Sequence, residues 1–123
     1  MEQPVFNPFA SKLQWAFGLF PAVALTCFYS FVIRSRLELG HWPTYDHPDP
    51  KLLGFELHYS LVWLLLMLTP VLGLMAVIFS VRALVVPLRL PWWKAILPVV
   101  VPFGAAFIII LTDPGGFFGW LAD

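Results

Sequence analysis

The run LQWAFGLFPAVALTCFYSFVI, residues 13–33, decides the fold. It holds 21 residues without a charged side chain, and about 20 apolar residues in a helix cross the ~30 Å hydrocarbon core of a bilayer. A secretory signal is the first alternative. The run is longer than a signal core, and no small-x-small cleavage pattern precedes Arg34, so it is expected to be retained as an anchor.

Two more runs follow the same rule. YSLVWLLLMLTPVLGLMAVIF, residues 59–79, again has 21 uncharged residues, and AILPVVVPFGAAFIIIL, residues 95–111, has 17. Hydrophobic residues make up 60% of the 123-residue chain and charged ones 11%, against roughly 45–50% and about 25% in soluble domains. A small water-soluble fold leaves too much surface exposed to hide that apolar content. The expected fold is therefore an all-α membrane protein with three transmembrane helices, each containing proline: Pro21, Pro70, and the pair Pro98 and Pro102. The chain reads as one transmembrane domain, with a polar loop over residues 34–58 and an interfacial segment over 113–123.

Seven basic and seven acidic residues balance to zero net charge, so nothing suggests a nucleic-acid partner. The single cysteine, Cys27, lies inside the first run and reads as a small packing residue.

Small residues mark where helices approach. Gly18, Ala22, Thr26 and Ser30 recur every fourth residue along the first span, and Gly73, Ala76 and Ser80 form a second such face. Small-xxx-small rows let another backbone come close, so the second face is a candidate partner for the first, within the chain or across subunits. Ser11 reads as the N-cap of the first helix. Arg34 and Arg36 close that span, and Gly40 lets the chain turn.

The loop HWPTYDHPDPK, residues 41–51, concentrates histidines, acids and prolines. Asp49-Pro50 reads as a helix start, with Asp49 the N-cap and Pro50 the first helical residue. Gly54 allows a bend into the second span. Trp42, Tyr45, Trp92, Trp93 and Trp120 read as interfacial anchors, because amphipathic rings favour the headgroup level. Asp113-Pro114 reads as a second short-helix start, after which Phe117, Phe118, Trp120 and Leu121 would lie on the bilayer surface.

Three spans put the N-terminus and the second loop on one side of the membrane. Lys12, Arg82, Arg89 and Lys94 fall there, against Arg34, Arg36 and Lys51 opposite. Counting basic residues places the N-terminus in the cytoplasm, with the long loop and the C-terminus outside.

Transport and intramembrane catalysis need ionisable groups at depth. The three spans contain no Asp, Glu, Lys, Arg or His, so neither an enzyme nor a transporter is expected. His58, opening the second span beside Glu56 and Tyr59, is the one candidate cofactor contact. A neutral imidazole ligates a chlorin metal or hydrogen-bonds a quinone, while the plainer alternative is an interfacial histidine bonded to Glu56, Tyr45 or water. His41, Asp46, His47 and Asp49 offer donors for zinc, but their spacing matches no established ligand set, so no metal is expected.

Leu39-Gly40-His41-Trp42-Pro43, then Pro48-Asp49-Pro50-Lys51, then Gly54-Phe55 with His58-Tyr59 resembles a family of small bacterial multi-span membrane proteins. Its pattern is Leu-Gly-x-Trp-Pro, a spacer, Pro-Asp-Pro-Lys and a downstream Gly-Phe…His. The resemblance implies a bacterial inner membrane origin and carries over no functional residues, since that family has no assigned activity. The expected role is a non-catalytic accessory subunit of a respiratory or photosynthetic complex. Its partners would be other membrane subunits and lipids, and it would hold no cofactor of its own. The alternative is a subunit contacting a chlorophyll-type pigment or a quinone through His58. A small membrane enzyme or transporter is the third class.

Overall fold

The computed structural model describes residues 8–45, 48–85 and 91–122. Among these residues four helices occur, in the order α1 Pro8–Leu39, α2 Glu56–Val85, α3 Trp92–Thr112 and α4 Phe117–Ala122, with a 3-10 turn at Pro50–Leu53 before α2. Three of them are long and apolar enough to cross a membrane, over Ser11–Leu39, Glu56–Arg82 and Trp92–Thr112. The chain is an all-α, multi-pass membrane protein. The N-terminal piece before Pro8, with Arg89 and the second loop, lies outside the described residues.

The helices overrun the uncharged runs at both ends. α1 begins at Pro8, so Ser11 lies inside the helix and is not its cap. A proline is tolerated at a helix start, because first-turn amides have no intrahelical acceptor anyway. Gly40, with φ +76, ends α1, and its N–H bonds the Arg36 carbonyl. The 3-10 turn starts as its sequence indicates: the Asp49 side chain accepts from the Lys51 N–H at 2.9 Å, Pro50 follows, and Gly54 takes the left-handed conformation.

α1 is the central helix, with its main contacts to α2 and α3, which touch each other less. Its buried stripe is not the four-residue row. Gln14, Pro21, Phe28 and Ser35 are buried, together with Gly18 and Val32, whereas Ala22, Thr26 and Ser30 are exposed. Each four-residue step rotates about 40° around a helix, so Ser30 sits about 120° from Gly18. A seven-residue step drifts only about 20°, and the buried positions of α1 are spaced by seven. α2 repeats the pattern with Val62, Thr69 and Ala76 beside Leu66, Gly73 and Ser80. α3 buries Ala95, Val99 and Ala106, with Pro102 half-buried.

One glycine from each small-residue face lies against α3. A methyl placed on Gly18 would overlap the Pro98 carbonyl oxygen, and one on Gly73 would press on the Phe103 ring. Proline chemistry explains the first contact. Pro102 has no N–H to offer the carbonyl four residues back, so the Pro98 oxygen is released from its own helix. It points at the Gly18 backbone, where a Cα–H···O contact is in reach because no Cβ intervenes.

Candidate functional site

The two ends of the bundle differ in chemistry. Where α1 starts, α2 ends and α3 starts, one buried polar node ties all three helices. The Gln14 amide donates to the Ser80 hydroxyl at 3.2 Å. The Ser80 hydroxyl faces the Ala76 carbonyl at 2.8 Å and the Ala95 carbonyl at 3.0 Å. A hydroxyl has one proton, so it is shared between its own helix and α3. Gln14 was visible in the sequence only as a lone amide in an apolar run. Such an amide needs a partner inside the protein, because lipid offers none.

The opposite end is aromatic. Phe28, Phe31, Val32, Val62, Trp120 and Leu121 form one buried cluster. Phe28 stacks on Phe118 at 4.0 Å between centroids and Phe31 on Trp120 at 5.7 Å. Trp120, expected as a surface anchor, is fully buried, as is Leu121. The Trp120 indole N–H donates to the Pro48 carbonyl at 2.8 Å, pinning α4 to the long loop.

The backbone before α4 makes this possible. Asp113, Gly115 and Gly116 all have positive φ, so the chain reverses over the bundle and does not run out along the bilayer. The Asp113 carboxylate then accepts from the Phe118 N–H at 2.9 Å and the Gly119 N–H at 3.1 Å, capping α4.

Of the remaining anchor residues, Trp42 and Tyr45 lie in the long loop, and Trp92 and Trp93 open α3. Trp42, Tyr45, Trp92 and Trp93 are exposed. Arg36 sits over the Trp42 ring at 3.9 Å, Arg34 over Phe55 at 3.8 Å, and the Lys94 ammonium over Trp93 at 5.1 Å.

His58 is half-buried and faces α1. Its Nε2 lies 3.1 Å from the Ser30 hydroxyl and 3.3 Å from the Cys27 carbonyl. Ser30 spends its proton on that same carbonyl, at 2.7 Å. Both neighbours of Nε2 therefore accept, so Nε2 is the donor in this arrangement. Neither Glu56 nor Tyr45 is its partner in these bonds. The ring ties α2 to α1, and a pigment metal would have to be ligated through Nδ1. Ser30, exposed on the four-residue row, contributes here by hydrogen bonding and not by close backbone packing.

Of the loop donors, Asp46 and His47 lie outside the described residues. His41 Nδ1 donates to the Trp42 carbonyl at 3.0 Å, and Asp49 caps the 3-10 turn. No group of three or more His, Cys, Asp or Glu stands close enough to hold a metal among the described residues.

Depth matters more than any of these contacts. Thr26 and Thr69 lie near the middle of their spans, and each donates at 2.8 Å to the carbonyl one turn back, Ala22 and Leu65 respectively. α3 carries no polar side chain between Lys94 and Thr112. Among the described residues, the polar side chains at this depth are Thr26, Thr69, the Cys27 thiol and the buried Trp63 indole N–H. Comparison with protein-family models, curated proteins and solved structures finds no match for this chain.

Proposed function

We propose that this protein is a non-catalytic accessory subunit held at the edge of a larger membrane assembly. The observation that carries the reading is the mid-membrane slab. Its polar groups are two threonines satisfied by their own helices, the thiol of Cys27 and the unpartnered indole N–H of Trp63, and none is an Asp, Glu, Lys, Arg or His. A transporter or intramembrane enzyme needs polar or ionisable groups at that depth. Without them, the chain acts through the surface it offers to neighbours. That surface is large: the most apolar window of α2 is only 11% buried. Met67, Val71, Leu74 and Ile78 are exposed along it.

The finer parts of the proposal follow from the sequence. The loop resemblance supports a bacterial inner membrane. The four-to-three division of basic residues supports a cytoplasmic N-terminus. The abundance of aromatic side chains, 17% of the chain, suits contact with the cofactor-bearing subunits of a respiratory or photosynthetic complex. Extraction of the tagged, natively expressed protein in a mild detergent tests the reading. Integral membrane subunits should co-elute in fixed stoichiometry. Elution as a lone chain ends the proposal.

A further inference from the structure

A groove of about 530 Å³ opens on the flank of the bundle between the starts of α1 and α3. Its floor is Pro98, where α3 rests on Gly18. Leu97, Val101 and Pro102 of α3 form one wall, and Trp15 of α1 the other. Ser11, Trp93 and Lys94 stand at the mouth.

Three features point to one occupant. Along α3 the lining runs from Trp93 to Pro102, about 14 Å at 1.5 Å per residue. That is close to half of the ~30 Å hydrocarbon thickness, the depth of a single leaflet. The groove is apolar below and cationic above, the polarity of a lipid and not of a second apolar helix. Among the described residues, the charged side chains at the end of the bundle where it opens are all basic. Lys12, Arg82 and Lys94 carry the charge there, and no Asp or Glu occurs over residues 8–17, 78–85 or 91–97. Trp15 and Trp93, 57% and 47% exposed, set the mouth at headgroup level.

We infer that this groove binds one anionic phospholipid, its phosphate at Lys94 and Ser11 and an acyl chain lying along Leu97, Val101 and Pro102. The inference is independent of whether the chain joins a complex.

Native mass spectrometry of the full-length protein tests it, with equimolar phosphatidylglycerol and phosphatidylcholine added to the detergent. The wild type should retain one phosphatidylglycerol in clear preference. Lys94→Gln should cut that preference about five-fold, the effect of one cation near an anionic headgroup. Lys94→Arg should keep it, and Lys51→Gln, at the opposite end, should leave it unchanged. Val101→Phe should fill the groove and lower retention of both lipids. Equal retention of the two lipids by the wild type overturns the inference, as does a preference that survives Lys94→Gln or falls equally with Lys51→Gln. A lipid-free dimer broken by Val101→Phe would assign the groove to a second copy and overturn it too.

Discussion

Gly18→Ala is the most informative single change in the bundle. The new methyl would occupy the space of the Pro98 carbonyl oxygen, and backbone cannot swing aside as a side-chain tip can. α3 must therefore back away from α1. Overpacking of this kind costs roughly 1–3 kcal/mol, and loss of the Cα–H···O contact adds about 0.5–1 kcal/mol. Replacing a helical glycine by alanine returns up to about 1 kcal/mol of helix propensity. The balance is a destabilisation of about 2 kcal/mol, close to a thirty-fold shift in the folding equilibrium. Two glycines calibrate the result. Gly73→Ala meets only the Phe103 ring, which can turn, so its cost should be smaller. Gly104 has nothing within 4 Å of an added Cβ, so Gly104→Ala should be neutral or stabilising. Reversible unfolding of each variant by SDS in mixed micelles, followed by tryptophan fluorescence, gives the order. A Gly18→Ala protein as stable as wild type, or one less perturbed than Gly104→Ala, would refute the reasoning.

The other predictions concern the polar ties. Ser80→Ala should cost about 1–2 kcal/mol in the same titration, because it strands the buried Gln14 amide. Adding Gln14→Leu should recover most of that loss, since removing both partners is nearly neutral. Asp113→Ala should cost about 1 kcal/mol as a lost cap and shift the Trp120 emission to the red as α4 loosens. His58→Phe should cost no more than about 1 kcal/mol, the usual worth of an interhelical hydrogen bond in a membrane. The absorbance spectrum of the purified His58→Phe protein should match that of the wild type. A chromophore band lost on that change would show that the ring holds a ligand.

Much of the architecture is written in one dimension. Uncharged runs of 21, 21 and 17 residues make three spans because the bilayer forbids unpaired backbone polar groups, and a helix of about that length satisfies them within one segment. The Asp49-Pro50 start, the Gly40 stop and the absence of ionisable groups at depth are local properties, legible without any fold. Which faces pack is not local. The row Gly18, Ala22, Thr26, Ser30 looks like an interface when residues are counted by fours, yet the helix turns Ala22 and Thr26 out to the surface and leaves Ser30 only a hydrogen bond to α2. Gly18 keeps its place only because α3, far along the chain, presents a carbonyl that Pro102 has released. Trp120 shows the same limit. An aromatic residue near a chain end suits a membrane surface and a protein core equally well. Three left-handed backbone positions, at Asp113, Gly115 and Gly116, together with a waiting acceptor on Pro48, carry it into the core. Spans follow from solvent, which acts on each residue alike. Contacts follow from rotation and from partners distant in sequence, and only the assembled bundle brings those together.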